Sequence, residues 1–238
     1  MKQSIIDKHL YDEIGRNEIC LHCKDKNDMF TNPLTPYIIS DKLSEEKDRV
    51  MFIGKVAIGD SFGTLINEML EDVTEFGEEF LETSSRAYYS YTKEIVEEYY
   101  GGFDKAFKHI TFSNMIKCNN ETVNDTTPYD AKICCIDKNK FIWKEVDIIK
   151  PRRIIFYTHY YYDDFIEKFR PQNCLFIKDI TSKENRIEIG NKTSLYWHRE
   201  FYDHSNNLIC SYLRTSHPMM KNREDFVSSI IAWLRSTD

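Results

Sequence analysis

The chain lacks any uncharged apolar stretch approaching the ~18–20 residues that span a bilayer, which excludes a membrane-crossing helix within it. Its first residues, Met1-Lys-Gln-Ser-Ile-Ile-Asp-Lys8, lack the apolar run and small-residue cleavage site of a secretory leader. Positive charge is not in excess either. Thirty-two Lys and Arg against 39 Asp and Glu give a formal charge of −7 and a pI near 5.6, so no overall basicity announces a nucleic-acid binder. That balance still permits a local basic groove on an acidic protein. Internal repeats and low-complexity tracts are missing as well, so the chain is not a repeat array.

What is present suits a packed core. Hydrophobic residues make up 41% and aromatics 14% of 238 residues, enough for one medium domain and too much for global disorder. Without a leader, the expected location is cytoplasmic, where the seven cysteines stay reduced. Metal or cluster ligation then competes with simple burial, and disulfides are disfavoured.

Along the chain, residues 4–18 predict a helix, followed by Cys20-Leu-His-Cys23 and a proline-bearing connector. Arg49-Val-Met-Phe-Ile-Gly-Lys-Val-Ala57 predicts a buried strand entering a tight loop, Gly59-Asp60-Ser61-Phe62-Gly63, with a helix from Thr64. A helix over 80–100 is stopped by Gly101-Gly102, and its tyrosines read as core and rim packing. Strands are expected at 109–116, 151–157 and 174–177, with a helix carrying Cys134 and Cys135 after Pro128. Segments 194–203 and 208–213 resemble a hairpin near the sheet edge, and Asn222 caps a final helix. Strands alternating with helices predict a three-layer α/β/α domain with a mostly parallel central sheet. The expected division is an N-terminal helix and C-x2-C extension over 1–48, packed on an α/β domain over 49–238.

Chemistry concentrates in two places. Cys20 and Cys23 have the spacing with which two thiolates grip one metal centre from a turn, and Cys118, Cys134 and Cys135 are candidates to complete the set. Adjacent α-helical residues point about 100° apart, so only one of Cys134 and Cys135 is expected to face a shared site. Cys174 and Cys210 read as buried hydrophobes. The second concentration is at strand ends, where open parallel sheets bind ligands: Gly54 to Phe62, Asn114, and Ser216-His217-Pro218.

These residues resemble the uracil-DNA glycosylase superfamily, especially its iron–sulfur branch. The resemblance rests on Cys20-Leu-His-Cys23, Phe52-Ile-Gly54, Asn114-Met-Ile-Lys-Cys118, Cys134 or Cys135, Ile149-Lys-Pro-Arg-Arg-Ile-Ile155 and Ser216-His-Pro218, in the family's order. It implies extrusion of a damaged base from DNA and cleavage of its N-glycosidic bond. It further implies that Asn114 reads the base edge, with Gly54 and Phe62 against the base, and that His217 stabilises charge on the leaving base. Arg214, Lys221 and Arg223 would hold phosphates. A 4Fe–4S cluster, or zinc, would sit on Cys20, Cys23, Cys118 and Cys134 (or Cys135). The expected partner is DNA containing a deaminated base, with no membrane, and the expected state is a monomer.

One motif departs from the pattern. The branch resembles Gly-Glu-Ala-Pro-Gly where this chain reads Gly54-Lys-Val-Ala-Ile-Gly59. A lysine stands in the acid's place, leaving Asp60 as a displaced carboxylate and promoting Asn114 from reader to catalyst. The competing readings are a non-catalytic nucleic-acid or nucleotide-binding protein on this fold, and a structural zinc protein.

Overall fold

The computed structural model describes residues 17–27, 30–33, 37–38, 43–56, 81–120, 127–179, 186–189, 192–219 and 221–237. Residues 4–16 of the helix expected over 4–18, the helix expected from Thr64, Asp60 and Phe62 lie outside the described residues. No described helix is long and apolar enough to cross a membrane.

Seven strands form the main sheet: β2 (Tyr37–Ile38), β3 (Val50–Gly54), β4 (Ile110–Asn114), β6 (Arg153–Phe156), β7 (Phe176–Asp179), β10 (Trp197–Tyr202) and β11 (Leu208–Arg214). Their order is β2-β4-β3-β6-β11-β10-β7. The central four, β4, β3, β6 and β11, are mutually parallel, and the flanking pairings are antiparallel. Separate two-stranded ladders join β1 (Phe30–Pro33) to β5 (Cys118–Asn120), and β8 (Arg186–Ile189) to β9 (Lys192–Leu195).

The central strands are buried on both faces, as their near-continuous apolar runs require. Along β3, Met51 and Ile53 enter one core, while Val50 and Phe52 enter the other. On β6 the same alternation sends Ile154 and Phe156 one way and Ile155 the other. Helices cover each face, which makes three layers. On one side lie α1 (Glu18–Lys26), through Cys20, and α3 (Phe141–Ile149), through Phe141, Ile142, Val146 and Ile149. Opposite are α2 (Ala87–Tyr100) and α4 (Arg223–Ser236), which contribute Ile95 and Val96, and Phe226, Ile230, Ile231 and Leu234.

Local signals set most boundaries. Gly101, at φ +74°, ends α2 in the left-handed conformation that glycine adopts without a Cβ clash. Asn222 accepts from the Asp225 N–H at 3.1 Å and caps α4. The strand expected at 174–177 begins later, at Phe176: the Cys174 N–H closes the preceding turn on Pro171 O, and the Leu175 N–H already reaches Tyr202 O on β10. The hairpin of β10 and β11 forms as expected, yet β11 is interior, pairing parallel with β6 on its other side. The N-terminal extension is more than a cover, since β2 adds an antiparallel edge strand to β4.

Candidate active site

Because the central strands are parallel, their carboxyl ends share one edge of the sheet. Gly54 ends β3 directly beside Asn114, which ends β4. Backbone bonds continue the row: Met115 N–H donates to Gly54 O at 2.9 Å, and Ile116 N–H to Lys55 O at 2.9 Å. Across β3, Tyr157 N–H donates to Ile53 O, and Thr215 N–H to Phe156 O. The chain leaves β3 toward β4 on one side, whereas β6 leads to strands on the other. The crevice between β3 and β6 is therefore the switch point at which such sheets bind ligands.

Gly54 is fixed by close approach. A Cβ there would stand 2.5 Å from Asn114 Oδ1 and 3.2 Å from the Tyr88 ring, so only glycine lets the amide lie against the strand end. Tyr88 then links the two motifs. Its ring is stacked on His217 at 6.3 Å between centroids, and burial, with Tyr89 and Tyr157 nearby, raises its phenol well above the ordinary value. From the sequence, Tyr88 reads as packing only. Its helical position carries no sign that it faces the strand ends.

His217 has a defined proton. Burial, helped by Lys55, lowers its pKa to about 4, so the ring is neutral at pH 7. Met219 N–H donates to its Nδ1 at 3.2 Å, which makes Nδ1 the acceptor and leaves the proton on Nε2. His159, which no sequence motif marks, stands just beyond β6 with φ +55°. It is likewise lowered to about 4, by burial and then by Arg214, Lys221 and Lys55. Its Nδ1, Thr158 Oγ1 and Ser216 Oγ are buried without a hydrogen-bond partner among the described residues. Buried polar atoms left unpaired beside the strand ends call for a partner that the described residues do not supply.

The three basic residues assigned to phosphates part company. Arg214 is 1% exposed, lies over the Trp197 ring at 5.4 Å and is ion-paired with Asp163 at 2.8 Å. Burial makes it an interior residue, contrary to the phosphate-holding role expected for it. Arg223 is exposed but bound to Glu94 on α2, with Tyr91 beneath it. Lys221 remains near the pocket, where it acts on His159.

The cysteines converge on the α1 and α3 side of the sheet. Cys20, Cys23, Cys118, Cys134 and Cys135 line one cavity with Lys117 and Asn139. Cys134 and Cys135 both reach it, against the expectation that one would. The reason is local: Ile133–Lys138 is a π-helical turn, whose wider winding separates neighbouring side chains by less than the α-helical angle of about 100°. Cys23 and Cys134 are hydrogen bonded to one another, and burial with the nearby thiols Cys134 and Cys118 pushes Cys23 up to about 12. Cys118 is raised to about 11 by burial. Lys117 N–H donates to Cys135 Sγ at 3.4 Å, and Asn139 Nδ2 to Cys20 Sγ at 3.5 Å. No three Cys, His, Asp or Glu side chains among the described residues are grouped to hold a single metal ion as they stand.

The donor chemistry fits a thiophilic metal group. Soft sulfur ligands from three separate segments meet in one apolar hollow, with N–H donors aimed at two of the sulfurs. Burial keeps Cys23, Cys118 and Cys135 as neutral thiols, which a bound positive centre would deprotonate. No protein-family model matches the chain, and no curated protein matches it.

Proposed function

We propose that the chain is a DNA glycosylase-like enzyme that releases uracil or another deaminated base by cleaving its N-glycosidic bond. The observation that carries the reading is His217: a neutral imidazole with its proton on Nε2, joined through the Tyr88 ring to the strand end where Gly54 meets Asn114, in a field to which Lys55 contributes positive charge. Such a group donates to negative charge as it develops on a leaving base and favours that state over the neutral substrate. Asn114 supplies a donor and an acceptor together, which suits a nucleobase edge. The Tyr88 ring forms a wall on the His217 side. Lys55 in place of an acid shifts the balance from activating water toward stabilising the departing anion.

Cys20, Cys23, Cys118 and one of Cys134 and Cys135 would hold a 4Fe–4S cluster, with zinc as the alternative. When bound, the group would cross-link α1, β5 and the π-helical turn and take no part in bond cleavage. Iron, acid-labile sulfide and zinc measured per chain, on protein purified without oxygen, separate the two.

Oligonucleotides containing uracil, hypoxanthine or xanthine test the function, with base release and binding measured side by side. At least one base is expected to be released, and N114A and H217A are each expected to abolish that release. Release that survives in both variants overturns the site assignment. Binding without release from any substrate favours the non-catalytic alternative.

A further inference from the structure

Two neighbouring aromatic rings face solvent at the crevice between β3 and β6. Tyr160 and Tyr161 are 52% and 50% exposed, in the tight turn His159–Tyr162 that follows β6. Their centroids are 4.4 Å apart at 42°, and the Tyr160 and Tyr161 side chains are hydrogen bonded. His159 packs its ring 4.4 Å from Tyr160, and its left-handed backbone shapes the turn that carries both tyrosines. Left-handed non-glycine residues are uncommon and gather at functional sites.

Cations surround these rings. Lys55 Nζ lies 5.0 Å from the Tyr161 centroid, and Lys132 Nζ donates to Tyr161 O at 3.0 Å. Lys221 is near enough to act on His159. The first acid after the turn, Asp163, is engaged by Arg214. Lys55 and Lys132 thus flank two exposed rings, and Lys221 lies near the His159 that precedes them, on a chain whose formal charge is −7.

We propose that Tyr160 and Tyr161, with Lys55, Lys132 and Lys221, form a stacking platform for an unpaired DNA strand entering the Asn114 pocket. Every unpaired base offers a π-face to a tyrosine ring, and the phosphates between bases meet ammonium groups. A duplex keeps its base faces stacked internally and presents none to these rings. Delivery of the strand to Asn114 rests on the glycosylase reading, whereas the platform rests on the rings and lysines alone.

Fluorescence anisotropy with a short labelled oligothymidine, its matching duplex and the corresponding RNA strand tests this. The intact chain is expected to bind the single DNA strand most tightly. Y160L/Y161L should weaken that binding about tenfold or more, while Y160F/Y161F, which keeps both rings, should not. K55Q/K132Q should flatten the dependence of log K on log salt by about 0.7 for each phosphate no longer neutralised. Unchanged affinity in Y160L/Y161L, or a preference for duplex or RNA, overturns the proposal. Ring-dependent strand binding with no base released would leave the platform standing and remove the glycosylase reading. Base release indifferent to the ring pair would do the reverse.

Discussion

Lys117 Nζ lies 2.7 Å from Glu145 Oε2, and both side chains are sealed from solvent. Ser113 completes the triangle, donating to Glu145 and accepting from Lys117. The pair ties β4 to α3 between two sites: Ser113 precedes Asn114, and Lys117 precedes Cys118. The Lys117 backbone N–H also reaches Cys135 Sγ. Burial raises the Glu145 pKa, and Lys117 and Ser113 oppose that shift. One short stretch of chain therefore sets both the pocket amide and a cavity thiol.

Breaking this pair on one side leaves a buried charge without its partner. K117M and E145Q are each expected to lower stability by about 3–5 kcal/mol, and the double change K117M/E145L by less. Urea unfolding reads the difference. Single variants within about 0.5 kcal/mol of the parent would show that the pair does not hold β4 to α3.

Gly54 gives a sharper test of the pocket. In G54A the new methyl would meet Asn114 Oδ1 at 2.5 Å, so the amide or the strand end must move. The expected cost in stability is about 1–3 kcal/mol. Base release should fall much further than that loss explains, with the fold retained by circular dichroism. Full activity in G54A would separate Asn114 from the reaction.

The two histidines give the pH dependence a sign. His217 and His159 take up a proton near pH 4 in the folded chain, against about 6.5 when unfolded. Between these values the unfolded state holds more protons, so stability is full above about 6.5 and falls as pH drops toward 4. Thermal melts from pH 7 to 4 should decline, and H217N should flatten part of that decline. The acid limb of base release should sit near 4 instead of 6.5.

Removing thiols tests the cavity. C20S, C23S and C118S should each lose bound metal and stability together, since each takes a soft ligand from a buried set. Comparing C134S with C135S assigns the remaining ligand, because the π-helical turn presents both. Elemental analysis and the visible absorption of each variant are the readouts. Metal content unchanged across all five would assign the cysteines to packing.

The sequence alone determined the α/β class, since short apolar runs alternating with helical patterns bury strands on two faces. It also marked Gly54, Asn114 and His217 as candidates, because they fall at strand ends, where open parallel sheets bind ligands. Cys20 and Cys23 were legible from spacing. Only the tertiary structure could show that Arg214 is interior, because a guanidinium's burial depends on the distant Asp163 and Trp197. Tyr88 and His159 joined the pocket through neighbours far apart in sequence, which no local pattern encodes. Cys134 and Cys135 both line the cavity because a π-helical turn replaces the α-helix expected there. The chain's local chemistry chose the groups; long-range packing decided which of them meet.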